Sequence, residues 1–404
     1  MPLEKKRWLV LLSSCLINLC IGSLYAWSIF ATPLSEELSI ANIAIVFTIA
    51  SSIGPLIMVP TGYINDRIGP RKIVFVGGIL FGIGNFMCGF VDNLTMLIIM
   101  YSIVGAVGMD LCYTCTISNT VKFFPDKRGF VGGLTTAVYG ISSVLIPLVA
   151  QPMIDSLGVF NTFKILGIVY LIVIVGCSFL QCQCPVGWAP EGFKPSAKIS
   201  SNTEDKDWKG MLKDPIFYPM VLLMICGAFF GTMTISQASP IAQNMVGMSP
   251  AAAALAVSVL AMFNSGGRVS AGFVSDKIGR INTLVIALCL ALVGMILLII
   301  TGTNQVVIFY IGIALVGVAF GSFMGIFPGF NVDQFGSKHN TANYGIMFIG
   351  YAVACMTGPI LAGKIYLMTG SYNLAFVIGA VLVLIGFMLA FVYRTMANKR
   401  LKKS

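Results

Sequence analysis

Charge is scarce in this chain. Asp, Glu, Lys and Arg make up 10% of its 404 residues, against roughly 25% in a soluble domain. Histidine occurs once, at His339. A membrane enzyme needs paired carboxylates, a His/Cys metal cluster, or serine with histidine and aspartate. Asp110 is the only carboxylate well inside an apolar run, and His339 falls in a loop between two of them. The sequence therefore speaks against an enzyme, and no cofactor or metal is expected. Eleven cysteines are spread mostly along the apolar runs. Cys182 and Cys184 flank Gln183 without a second ligand pair, which argues against zinc. They read as small buried hydrophobes.

Apolar residues are abundant. They reach 57%, with a mean hydropathy of +0.92. Runs near the ~20 residues needed to cross a bilayer recur from end to end. Twelve spans are expected, at 8–31, 42–63, 73–91, 95–118, 129–151, 163–182, 216–239, 250–272, 281–301, 305–326, 341–366 and 372–394. The first is too long for a signal peptide, and no small-residue cleavage site follows it. The fold class is thus an all-α membrane protein.

The net charge of +10 is a topology signal rather than a nucleic-acid footprint. With the N-terminus inside, 22 of the 25 basic residues fall on the cytoplasmic side. The exceptions are Lys164, Lys364 and Arg268. The positive-inside rule then places both termini in the cytoplasm, and an even span count agrees. A multi-pass protein of the plasma (inner) membrane is expected, working as a monomer in the lipid bilayer.

The chain repeats itself. GYINDRIGPRK (Gly62–Lys72) follows the second span, and GFVSDKIGRIN (Gly272–Asn282) follows the eighth. Gly62 matches Gly272, Asp66 matches Asp276, Arg67 matches Lys277 and Gly69 matches Gly279, at an offset of 210 residues. Two halves of like orientation explain this: 1–184 and 215–404, joined by the polar linker 185–214. Each aspartate could cap a helix N-terminus or pair with a nearby arginine. Gly62 and Gly272 would let helices approach closely. These loops read as conformational latches rather than substrate sites. In the tenth span Gly317, Gly321, Gly325 and Gly329 form a small-residue face for packing, and Pro328 marks a bend.

Arg268 lies deep in the eighth span, eight residues before the next charge, Asp276. An intramembrane arginine is a functional hypothesis by default. Its planar fork matches a carboxylate, and it cannot deprotonate to escape burial. The plainer alternative is a structural ion pair between helices. Asp110 has three readings: a hydrogen-bonded structural group, a counter-charge for Arg268 in an empty site, or a proton carrier.

The pattern G-x-x-x-D-R/K-x-G-x-R/K after spans two and eight resembles the signature of the major facilitator superfamily. GSLYAWSIF (Gly22–Phe30), ISNTVKFFPDKRG (Ile117–Gly129), SQASPIAQ (Ser236–Gln243), GGRVSAGFVSDKIGR (Gly266–Arg280) and NYGIMFIGYA (Asn343–Ala352) together resemble the oxalate:formate antiporter family of carboxylate transporters. The resemblance implies two six-helix bundles about a central cavity, with alternating access by rocking of one half on the other. It also implies that Arg268 binds substrate carboxylate, that Tyr25, Tyr113 and Tyr139 box the substrate, and that Phe320 fills an aromatic position. Asn264, one turn from Arg268, is a further candidate ligand.

One position departs from the pattern. The family's oxalate carriers have a lysine in span eleven, where this chain has Tyr351. Lys364, thirteen residues on, is almost four turns away and cannot replace it. One cationic anchor suits one carboxylate, and a dianion would bring uncompensated charge into a low-dielectric site. The expected cargo is a monocarboxylate such as pyruvate, lactate or formate, with protons as the coupling ion. Oxalate/formate exchange is the first alternative. A carboxylate receptor of transporter-like fold is the second. A drug exporter would have a more apolar or acidic cavity.

Overall fold

The computed structural model describes residues 3–39, 43–185, 187–191 and 205–401. Most of the linker, 192–204, lies outside them. Among the described residues twelve helices are long and apolar enough to cross a membrane. They run Leu3–Leu24, Ile45–Ile68, Pro70–Phe90, Leu94–Phe123, Arg128–Leu157, Val159–Ser178, Phe217–Asn244, Ala252–Ile278, Arg280–Ile300, Val306–Phe335, Asn340–Thr369 and Asn373–Arg400. They are called spans 1 to 12 below.

The chain forms two compact units, and each takes a short segment from the other half of the sequence. The first comprises Met1–Asp126, Val138–Lys194 and Gly336–Ile346. The second comprises Lys127–Ala137, Pro195–Phe335 and Met347–Ser404. Span 5 and span 11 each contribute to both.

In the first unit, hydroxyls and amides hold span 1 to span 4. Ser14 Oγ and Thr120 Oγ1 lie 2.8 Å apart, and Asn18 Nδ2 donates to Thr116 Oγ1 at 3.0 Å. Gln181 donates to Ser13 Oγ and Ser14 Oγ. All six side chains are buried. Glycines bring the remaining spans together: a Cβ at Gly82 would strike Leu171 of span 6, and one at Gly108 would strike the span 3 backbone.

Three spans of this unit are irregular. Span 1 passes into a 3-10 turn at Gly22–Ala26, and Trp27–Glu37 continues as a separate helix, so the run expected at 8–31 divides. Span 2 breaks at Ile53, between Ala44–Ser52 and Gly54–Ile68. Pro55, without an N–H, cannot continue the ladder from the preceding turn. Span 4 carries a π-helical stretch at Ile98–Gly105, a feature frequent at functional sites.

The second unit is held by rings and glycines. Gly227 and Gly231 of span 7 press on the rings of Phe323 and Phe320 of span 10. Phe230, Phe323 and Phe327 are fully buried in series. Gly317, Gly321 and Gly325 of span 10 lie on the span 8 backbone at Leu260, Asn264 and Arg268. At its base, Asp214 (4% exposed) receives Lys206 at 2.6 Å and Arg400 at 2.6 and 2.7 Å. Burial alone would raise the Asp214 carboxyl, but hydrogen bonds from Arg400 and Lys206 hold it below its ordinary value. Span 11 is interrupted at Phe348, between Asn340–Met347 and Ile349–Thr369.

Candidate functional site

Arg268 stands ten residues before the end of span 8, about 15 Å along the helix axis from it. It is 3% exposed. Its Nε donates to Asn264 Oδ1 at 3.0 Å, and its Nη1 donates to the Thr136 backbone carbonyl at 2.7 Å. It has no ion pair among the described residues, and its Nη2 end is not engaged there. The glycine contacts explain its placement. The Arg268 carbonyl lies where Cβ atoms at Gly133 and Gly325 would be, so span 8 is gripped from spans 5 and 10 at this level. A larger residue at either glycine would collide with the Arg268 backbone and force span 8 away from its neighbour.

In the same unit, Phe320 is 2% exposed and stacks with Tyr351, with centroids 6.5 Å apart and planes at 20°. Tyr351 also stacks on Phe348 at 4.5 Å. An aromatic wall thus occupies the span 11 position where the resemblance places a lysine in oxalate carriers.

The first unit brings together another group. Tyr113 and Tyr139 pack at 4.8 Å between centroids, and Tyr139 Oη donates to Met109 Sδ at 3.5 Å. Both are buried. Asp110, one turn before Thr114, is 4% exposed. Its Oδ2 has no hydrogen-bond partner, and no base pairs with it among the described residues. The carboxyl lies against the break in span 2: a Cβ at Gly54 would sit 3.0 Å from Oδ1. Tyr25 is on the 3-10 turn, and its side chain is outside the described part of the structure.

The repeated loops have matching geometry. Asp276 accepts from the backbone N–H groups of Gly129 and Phe130 at 2.8 and 2.9 Å, at the start of span 5. Asp66 accepts from Ala342 N–H at 3.1 Å, at the start of span 11. Each carboxylate thus meets a helix N-terminus, where negative charge is favoured. Gly62 and Gly272 touch the same two starts, Gly62 at Thr341 and Ala342 and Gly272 at Gly129. Gly69 and Gly279 have φ of 84° and 92°, a left-handed conformation that glycine tolerates and that turns the chain sharply into the next span.

The loops also recruit partners that sequence reading did not single out. Lys122 pairs with Asp66 at 2.8 Å. Arg280 pairs with Asp276 at 2.6 Å and with Asp333 at 2.8 Å, and Arg128 reaches Asp333 at 2.6 Å. Their only sequence signal was charge at span ends. Arg67 and Lys277, grouped with the latches by motif, do not join these networks among the described residues. Each lies over an aromatic ring instead, Tyr63 at 4.1 Å and Phe273 at 4.3 Å.

A buried cation without an acid, inside a chain of twelve spans with a repeated loop, is the setting of a carrier. The family model for the Major Facilitator Superfamily matches residues 8–335. The chain belongs to the Major Facilitator Superfamily. It is a multi-pass secondary transporter of that superfamily, not an enzyme. The oxalate:formate antiporter of Oxalobacter formigenes is 29% identical over 390 residues, covering 95% of this chain and 90% of that protein. The uncharacterized MFS-type transporter YhjX of Escherichia coli K12 is 29% identical over 354 residues, covering 87% and 86%. Monocarboxylate transporter 2 of Rattus norvegicus is 22% identical over 380 residues, covering 88% and 74%. Among solved structures, the proton:xylose symporter XylE aligns with a TM-score of 0.73 at 14% identity, covering 98% of this chain and 97% of that one. FucP aligns at 0.72 and 14%, covering 95% and 98%. At that identity the structures speak for the fold.

Proposed function

We propose that this transporter carries a small monocarboxylate, such as pyruvate, lactate or formate, together with a proton. The observation that carries the proposal is Arg268: 3% exposed, held by two neutral acceptors, with no acid beside it. A buried guanidinium in that state has a strong electrostatic demand for an anion. Asn264 and the Thr136 carbonyl hold Nε and one Nη1 N–H, which leaves the Nη2 end for a carboxylate. That favours one carboxylate group over two. Phe320 and Tyr351 supply an aromatic surface for the organic part. Similarity to an oxalate:formate antiporter and to monocarboxylate transporters supports the substrate class.

Asp110 is the proposed proton carrier, because its buried Oδ2 is free of a base among the described residues. Asp66 and Asp276, with their glycines, would latch and release the starts of spans 11 and 5 during alternating access. The termini would face the cytoplasm, and the protein would act as a monomer. The similarity to the oxalate:formate antiporter favours a second reading, exchange of one carboxylate for another without protons.

The test is uptake of labelled lactate, pyruvate, formate and oxalate into liposomes, with and without an inward proton gradient. Gradient-driven accumulation of a monocarboxylate, with oxalate ignored, is the expected result. Oxalate–formate exchange indifferent to the gradient would replace this reading with the second one.

A further inference from the structure

Arg67 and Arg71 flank the Gly69 turn between spans 2 and 3. Neither pairs with an acid among the described residues. Both are exposed, and each guanidinium lies over an aromatic ring: Arg67 over Tyr63 at 4.1 Å, and Arg71 over Phe179 at 5.0 Å. The rings are themselves 44% and 55% exposed, and Ile64, Ile68 and Leu180 beside them are exposed as well. These residues sit at the ends of spans 2, 3 and 6, on the side of the membrane that carries the chain termini. Aromatic rings and cations share that level of a membrane protein because it is where acyl chains give way to headgroups. A guanidinium covered on one face by a ring still presents its N–H groups at its edge. The only carboxylate in the loop, Asp66, is engaged by Lys122 and Ala342, so it does not neutralise the pair.

We propose that Arg67 and Arg71 form a binding site for the phosphate of an anionic phospholipid, whose acyl chains lie along Ile64, Ile68, Phe179 and Leu180. Two forked cations match one phosphate with several acceptor oxygens. A zwitterionic headgroup brings its own ammonium against the second arginine, so a net negative lipid is preferred. The site is particular to the first unit. In the second, Lys277 stands alone over Phe273, the position 210 residues beyond Arg71 is Ile281, and Arg280 is taken by Asp276, Asp333 and Ser275. This inference rests on the chain spanning a membrane and is independent of the substrate it carries.

The experiment uses the full chain in a neutral detergent. Retained lipid is measured by native mass spectrometry while phosphatidylglycerol or phosphatidylcholine is titrated in, with inorganic phosphate as competitor. The wild type should retain phosphatidylglycerol at roughly tenfold lower concentration than phosphatidylcholine. The double variant Arg67→Gln/Arg71→Gln should lose that preference, Arg71→Gln alone should reduce it, and Lys277→Gln should keep it. Equal retention of the two lipids by the wild type would overturn the proposal. So would a preference that survives Arg71→Gln undiminished, or one that Lys277→Gln erases. Displacement of phosphatidylglycerol by inorganic phosphate at similar concentration would also overturn it, because the site would then be one for soluble anions. No arm depends on transport, so failure of the substrate assignment leaves the result readable.

Discussion

The two units share a loop but differ in how their helices meet. Gly62, Asp66 and Gly69 repeat as Gly272, Asp276 and Gly279, and both aspartates cap the start of a distant span. Their interiors were built differently. Span 1 meets span 4 through serine, threonine and asparagine, and the charged residue buried within the spans of that unit is an acid, Asp110. Span 7 meets span 10 through glycine and phenylalanine, and the charged residue buried within the spans of the second unit is a base, Arg268. The comparison teaches that the repeat preserves the capping of helix starts at the span ends, whereas each interior is free to specialise. Between helices in lipid, either hydrogen bonds or close small-residue contacts suffice.

The sharpest way to break the contrast is to remove the base. Arg268→Gln should lower carboxylate uptake by at least about thirtyfold, since losing one partner of a buried charged contact typically costs about 2–5 kcal/mol. Arg268→Lys should recover little, because an ammonium cannot keep the fork geometry. Initial uptake rates in liposomes, with membrane insertion checked by size-exclusion profile, decide this. Near-normal transport by the glutamine variant would sink the anchor.

Removing the acid should have a different signature. Asp110→Asn should bind substrate with affinity within about threefold of wild type, a small difference of under 1 kcal/mol, yet lose stimulation by an inward proton gradient. Binding calorimetry alongside gradient-driven uptake separates the two effects. Stimulation that persists in the variant assigns the proton elsewhere.

Smaller effects test the packing. Gly321→Val places a side chain on the Asn264 carbonyl, and overpacking of this kind costs about 1–3 kcal/mol. A lower melting temperature in detergent is expected, with weakened substrate binding because Asn264 holds Arg268. In the first unit, Asn18→Leu and Thr116→Val should couple by only about 0.6 kcal/mol in a double-mutant cycle, the usual size of an interhelical hydrogen bond in a bilayer. A coupling above the Gly321→Val effect would reverse the ranking of the two interiors.

Much of this was legible in the residues. The twelve spans, the repeat at 210 residues and Arg268 as a misplaced charge follow from hydropathy and charge, which are summed over local stretches of chain. The capping role open to Asp66 and Asp276 was readable too. Their partners were not, since Asp276 meets Gly129 across 147 residues and Asp66 meets Ala342 across 276. The interruption of span 2 at Ile53 and the π-helical turn in span 4 left no mark on hydropathy, because they change backbone bonding and not composition.

Composition and order alone therefore determined a membrane carrier with a repeated loop, and with one cation and one acid deep inside its spans. Tertiary structure alone decided what each charge touches. Arg268 rests on a backbone carbonyl of span 5, a group every residue carries and no motif announces. Arg67 and Lys277 turn to aromatic rings rather than to the aspartates beside them. Periodicity places a side chain on a face of its own helix, but the partner on that face depends on how other helices pack against it.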